Sequence, residues 1–204
     1  PEEIQRAERV KNHLNYEITE DIEDYEEEQD DLLFNLPLDG SAFKKVYWDP
    51  ELNRPSAKYV RAEDIIVPYT AKAVETCHRV THRTPMSTGG IKSAVLSGFY
   101  LDLDLSEPSV EKTTPMGEAR EEATGVQSSI ERDEYTLYEV HVLLDLVGFE
   151  DTDGGVPKNY IVTIEQESGK ILSIYRNWKE EDPLQRKIQY FVGYKFLPGL
   201  GFYG

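Results

Sequence analysis

The chain has 204 residues, 39 of them acidic and 22 basic, for a formal net charge of -17 at pH 7; 39% are hydrophobic and the mean hydropathy is -0.56. That length allows one domain, or one and a half, with a real core, and thirteen Tyr, seven Phe and two Trp argue against wholesale disorder. The charge excludes a protein that holds nucleic acid by counterion release, which needs clustered Lys and Arg, while it fits high solubility or a surface past which nucleic acid slides without sticking.

The first stretch reads as helix. Ile4, Ala7, Val10, Leu14, Ile18, Ile22, Tyr25, Leu32 and Leu36 follow a 3.6-residue period. Asn15 marks a possible break and Thr19 a possible N-cap of a second helix. The other face carries Glu17, Glu20, Asp21, Glu23, Asp24, Glu26, Glu27, Glu28, Asp30 and Asp31, with no Lys or Arg between Lys11 and Lys44. Such a run is either a solvated face or a surface for a basic partner. Like charges at i,i+4 disfavour the isolated helix, so its apolar stripe needs something to dock on. Pro37 is expected to stop the helix.

Strand patterns follow. Residues 42–48 and 57–61 flank the turn Asp49-Pro50-Glu51-Leu52-Asn53 and are expected to pair as a hairpin. Residues 65–67 and 79–83 are further short strands. Ser87 is placed to cap a short helix over 91–96 that Gly98 ends, although Gly89 and Gly90 weaken its first turn. Residues 106–132 are rich in Glu, Thr, Pro, Ser and Gly, and read as a polar insert separating two folded portions. Beyond it, 135–146, 160–165, 170–175 and 187–196 read as an antiparallel meander. Its clearest hairpin lies across Gln166-Glu167-Ser168-Gly169.

The expected class is α+β, an N-terminal acidic helical segment packed on antiparallel β hairpins and a meander. The segments are 1–37 (amphipathic acidic helices), 38–105 (hairpin and short helix), 106–132 (flexible polar insert) and 133–204 (meander ending in a strand-to-helix corner). The parts other than the insert are expected to form one domain. No apolar run approaches the roughly 20 residues that span a bilayer, and the opening Pro1-Glu2-Glu3 has neither the basic nor the apolar region of a signal peptide. The lone Cys77 suits a reducing compartment.

Chemistry-bearing motifs are weak. Gly199-Leu200-Gly201-Phe202-Tyr203-Gly204 matches G-x-G-x-x-G after an expected strand, but Pro198 precedes it and its x positions are bulky. Backbone freedom at a corner is the better reading. Glu150-Asp151-Thr152-Asp153-Gly154-Gly155 resembles the start of a calcium loop, yet counting from Asp151 places Gly155 and Val162 where ligands are needed. Cys77, His78 and His82 form the one soft-ligand cluster, and strand alternation would turn Cys77 away from both histidines. His13 and His141 are isolated. No catalytic, cofactor-binding or metal residue is assigned, no cofactor is expected, and the chain is not expected to be an enzyme.

Three segments, taken together, resemble the portal (head-to-tail connector) proteins of tailed, mainly short-tailed, bacteriophages. The first runs from Leu32-Leu33-Phe34-Asn35-Leu36-Pro37 to Val46-Tyr47-Trp48-Asp49-Pro50. The second is Val60-Arg61-Ala62-Glu63-Asp64-Ile65-Ile66-Val67-Pro68-Tyr69. The third covers Ile171-Leu172-Ser173-Ile174-Tyr175-Arg176-Asn177-Trp178 with Asp182-Pro183-Leu184, and closes in Phe196-Leu197-Pro198-Gly199-Leu200-Gly201-Phe202-Tyr203-Gly204. The resemblance implies a subunit of a ring, usually a dodecamer, at one capsid vertex of the virion, made in the bacterial cytoplasm. DNA would pass through that ring without sequence-specific binding, and the terminase motor, capsid and tail adaptor proteins would dock on it. It also implies that this chain corresponds to the peripheral wing region, as a fragment of a longer protein, with no catalytic residues and no membrane contact. The readings from the residues alone that stay open are a nucleotide-binding domain using the terminal glycines and an acidic protein-interaction module.

Overall fold

The computed structural model describes residues 2–49, 52–105, 107–108, 122, 125, 134–146, 156–197 and 202. It is an α+β protein of two compact units, and the chain passes between them repeatedly. One unit comprises Pro1–Ala62, Thr70–Cys77 and Gln189–Gly204; the other comprises Glu63–Tyr69 and His78–Ile188.

The first unit opens with helix α1 (Glu2–Tyr16), a π-helical turn (Glu17–Asp21) and helix α2 (Tyr25–Asp39). Pro37 does not stop α2, contrary to expectation; the helix runs through it and ends at Gly40, whose φ of 75° supplies the left-handed cap. Pro37 and Leu33 both lie on the exposed face, so the carbonyl that Pro37 cannot bond is turned to water. Strands β1 (Ser41–Asp49) and β2 (Arg54–Arg61) form the expected hairpin, in register from Ala42↔Arg61 to Asp49↔Arg54. Asp49 Oδ1 accepts from Leu52 N at 3.1 Å, and Asn53 takes a φ of 52°, as a tight reversal requires.

Strand β8 (Phe191–Lys195) pairs antiparallel with the other side of β1, giving the order β2-β1-β8. The final strand therefore leaves the C-terminal meander expected for 133–204 and completes the N-terminal sheet. The register explains it: Gly193 sits opposite Phe43, and its missing side chain leaves room for that ring. Phe43 in turn stacks on Phe202, with centroids 5.6 Å apart. On the other face Leu32, 1% exposed, is the buried residue of α2. The acidic helical segment thus packs on the first hairpin through α2.

The second unit is a five-stranded antiparallel sheet in the order β3-β4-β5-β6-β7. Its strands are β3 (Ile65–Ile66), β4 (Arg79–Ser87), β5 (Glu134–Leu144), β6 (Lys158–Glu165) and β7 (Ile171–Arg176). Pairing of β4 with β5, from Arg79↔Val142 to Ser87↔Glu134, joins the strands on either side of the insert. Residues 106–132 are thus an excursion between two neighbours in one sheet and not a boundary between folded portions; most of that segment lies outside the described residues. Helix α3 (Thr88–Leu96) begins as expected, with Ser87 Oγ accepting from Gly90 N at 3.1 Å. Alternation along the strands gives the sheet two apolar faces. Ile91, Tyr100, Leu137 and Leu172 cluster on one, and Tyr160, Val162 and Trp178 on the other. The β6–β7 hairpin turns through Gly169 at φ 65°, while the Glu165 carboxylate accepts from Glu167 N and Ser168 N at 2.8 and 2.7 Å. Burial opposes ionisation of Glu165, yet the hydrogen bonds from Ser168 and Glu167 hold its pKa below the ordinary value.

Candidate interaction surface

The acidic helix divides into an inner and an outer set of carboxylates. β2 is an edge strand, and an uncovered edge offers unpaired backbone donors. The inner set covers it. Glu28 accepts from Tyr59 N through Oε2 and holds Lys58 Nζ at 3.1 Å through Oε1. Lys58 also donates to Asp24, and Arg54 reaches Glu23 at 3.6 Å, Asp24 at 3.8 Å and the Asp21 carbonyl at 2.9 Å. The hydrogen bond from Lys58 holds the Asp24 pKa below its ordinary 3.8, and the same bond raises that of Lys58. Part of the run that reads as a solvated face or a docking surface therefore has its basic partner within the chain, on β2. Proximity in sequence could not reveal this, because Arg54 and Lys58 lie beyond a hairpin turn. Lys44, buried in β1, completes the packing under α2. Its Nζ donates to Gln29 Oε1 at 2.8 Å and lies 4.5 Å from the Tyr25 ring centre, and desolvation lowers its pKa.

The outer set remains in water. Glu26, Glu27, Asp30 and Asp31 are exposed, and further along the same helix Phe34 (65% exposed) and Leu38 are exposed as well. The expectation that the whole stripe docks holds for Leu32 but not for α1. Ile4 is 71% exposed and Val10, Leu14 and Ile18 are open, so that Arg6 and Lys11 flank an apolar face with nothing buried on it.

No family model matches the chain, and no curated protein matches it.

Of the motifs weighed from sequence, 199–204 lies outside the described residues except for Phe202, and the acidic loop 150–155 lies wholly outside them. Cys77 is buried in the first unit, whereas His78 and His82 belong to the second. Among the described residues no group of three or more His, Cys, Asp or Glu is placed to hold a metal. Nor is any described helix long and apolar enough to cross a membrane. His13 is exposed, 3.3 Å from Glu17.

His141 is a satisfied core residue, 2% exposed. Its Nε2–H donates to Glu139 Oε1 at 2.7 Å, and Asn177 Nδ2 lies 3.5 Å from its Nδ1. The cross-strand registers put His82, Glu139, Thr163 and Ser173 in one row across four strands beside it. Thr163, Ser173 and Asn177 are buried, while His82 and Glu139 are half-buried, so most of the row lies inside the packed sheet face. The Glu139/His141 alternation in Tyr135–Leu144 was the sequence signal for it, visible only once that face is known to be covered.

Proposed function

We propose that this chain is a structural, non-catalytic module of a bacteriophage portal, corresponding to the wing part of a ring subunit at the capsid vertex of the virion. Its partners in that role are other portal subunits, the terminase motor, the capsid and the tail adaptors, and DNA passes the ring without sequence-specific binding. The observation that carries the reading is the order and spacing of the three portal-like segments. The packing is compatible with it: the first segment and the close of the third, far apart in sequence, meet in one unit, where Phe196 N donates to the Gly40 carbonyl at 2.9 Å and Phe43 stacks on Phe202. The acidic helix fits a protein that passes DNA without retaining it, since outward carboxylates repel phosphate.

Location is the test. In particles of the phage that encodes this protein, a gold-labelled antibody against it should mark a single capsid vertex. Label spread over the capsid, or missing from mature particles, would overturn the proposal. The reading as an acidic protein-interaction module is supported by the outward set Glu26, Glu27, Asp30 and Asp31 and is compatible with the first.

A further inference from the structure

Asn177 closes a loop in the second unit. It follows the last residue of β7, its N–H donates to the Asn159 carbonyl at 2.9 Å, and its own carbonyl accepts from Ile188 N at 3.1 Å. The loop 177–188 therefore begins and ends at one neck beside β6, and Lys158 holds it again by donating to Gln185. From this neck the Asn177 side chain reaches His141 on β5, with Nδ2 3.5 Å from the ring Nδ1. Its Oδ1 accepts no hydrogen bond, although the residue is only 1% exposed. A buried amide oxygen without a donor is costly, and its presence asks for a cause.

The two nitrogens of His141 supply one. Nε2–H donates to Glu139 Oε1 at 2.7 Å, a length usual for a charge-assisted bond. With that proton held on Nε2, a neutral ring offers a lone pair at Nδ1, which suits the NH2 group of Asn177. A protonated ring carries N–H there instead, and two donors then face each other. Turning the amide over removes the conflict, because Oδ1 accepts from Nδ1–H. The turn breaks only the 3.5 Å contact, since the end of the amide directed away from His141 has no bond to lose.

Few other ionisable side chains surround the pair. Glu139 lies on the same strand, His82 of β4 stands opposite Glu139, and the Tyr100 hydroxyl feels the Glu139 charge. The cross-strand neighbours of His141 itself are Val80 and Ile161, with Tyr175 of β7 beyond Ile161. Of these groups the two histidines are the kind that exchange a proton near neutrality, and His141 is the one that meets Asn177.

We propose that the His141–Asn177 contact is a pH-operated latch on the loop 177–188. Protonation of His141 turns the Asn177 amide, and the resulting Nδ1–H to Oδ1 bond pins the neck of the loop to β5 more tightly. By linkage, His141 binds its second proton harder than it would with no acceptor at position 177. The added stability is present below the pH at which that proton leaves and is lost as pH rises through it. The loop presents Leu184, 75% exposed, so the latch governs the order of a surface segment. It rests on the packing of the second unit alone and is independent of the portal reading.

Nuclear magnetic resonance of the nitrogen-15-labelled protein from about pH 5 to 8 tests it. The His141 ring nitrogens should pass between the Nε2–H form and the doubly protonated form. The Asn177 side-chain NH2 signals should move with the same midpoint, and exchange protection of the Ile188 amide should rise about tenfold on the acid side. Asn177→Leu cannot accept from Nδ1–H and should make His141 bind the proton about tenfold more weakly, whereas Asn177→Asp should make it bind about tenfold more tightly. Should the leucine variant not fold, the parent and the aspartate variant carry the test. A His141 that keeps one protonation state across this range, Asn177 signals indifferent to its titration, or an aspartate variant that binds the proton no more tightly would each overturn the proposal.

Discussion

Glu28→Ala tests whether the acidic helix holds the sheet edge. The Glu28 carboxylate receives Tyr59 N–H from the outer side of edge strand β2 and also holds Lys58. Truncation removes that acceptor from a part-buried donor, at about 1–3 kcal/mol, and one half-exposed ion pair, at about 0.5 kcal/mol. Water can reach part of the edge, so we expect a net loss of about 2 kcal/mol. For a chain of this size that lowers Tm by about 6 °C. Glu28→Gln keeps an acceptor at the same place and surrenders only the charge, and should cost about 0.5–1 kcal/mol. Leu32→Ala sets the scale for ordinary core loss on the same helix, at about 2–5 kcal/mol. Differential scanning calorimetry of the four proteins decides the matter. An alanine variant melting within about 1 °C of the parent, or a glutamine variant as damaged as the alanine one, would refute the assignment of Glu28 to the edge.

Gly193→Ala should destabilise by about 1–2 kcal/mol in urea unfolding, because the new methyl would meet the Phe43 ring at 3.2 Å while that ring is held by its stack on Phe202; a neutral or stabilised variant would count against the packing. Burial and the nearby Glu139 charge push the Tyr100 hydroxyl up to about 12 from 10.0. Its contribution is therefore complete below pH 10 and lost as pH rises toward 12, and Tyr100→Phe should flatten that alkaline fall in stability, which denaturation at graded pH reads directly. Asp24 has the opposite sign. Its lowered pKa contributes stability above 3.8 that disappears as pH falls through the folded value. The stability gap between parent and Lys58→Ala, under about 1 kcal/mol at neutral pH, should close in acid; a gap independent of pH would rule out the ion pair as its source.

The elements were legible where local chemistry decides them. The β1–β2 hairpin carries its own turn residues, the β6–β7 hairpin its glycine, and α3 its Ser87 cap. What was not legible depends on partners distant in the chain. Nothing near 187–196 says that β8 pairs with β1, because the deciding feature is a glycine opposite a phenylalanine in another segment. The division of the acidic run into inner and outer carboxylates likewise depends on Arg54 and Lys58 being folded back beside it. Pro37 misled because its cost depends on whether the freed carbonyl faces water, which a sequence does not state. The π-helical turn that separates α1 from α2 lies just past the break expected at Asn15, and Thr19, expected as a cap, instead donates to the Asn15 carbonyl at 2.8 Å.

The central claim is that this is an assembling, non-catalytic portal module, and electron microscopy of the full-length protein tests it most directly. The account predicts closed rings with an open central channel. Full-length protein that stays monomeric at high concentration would contradict it.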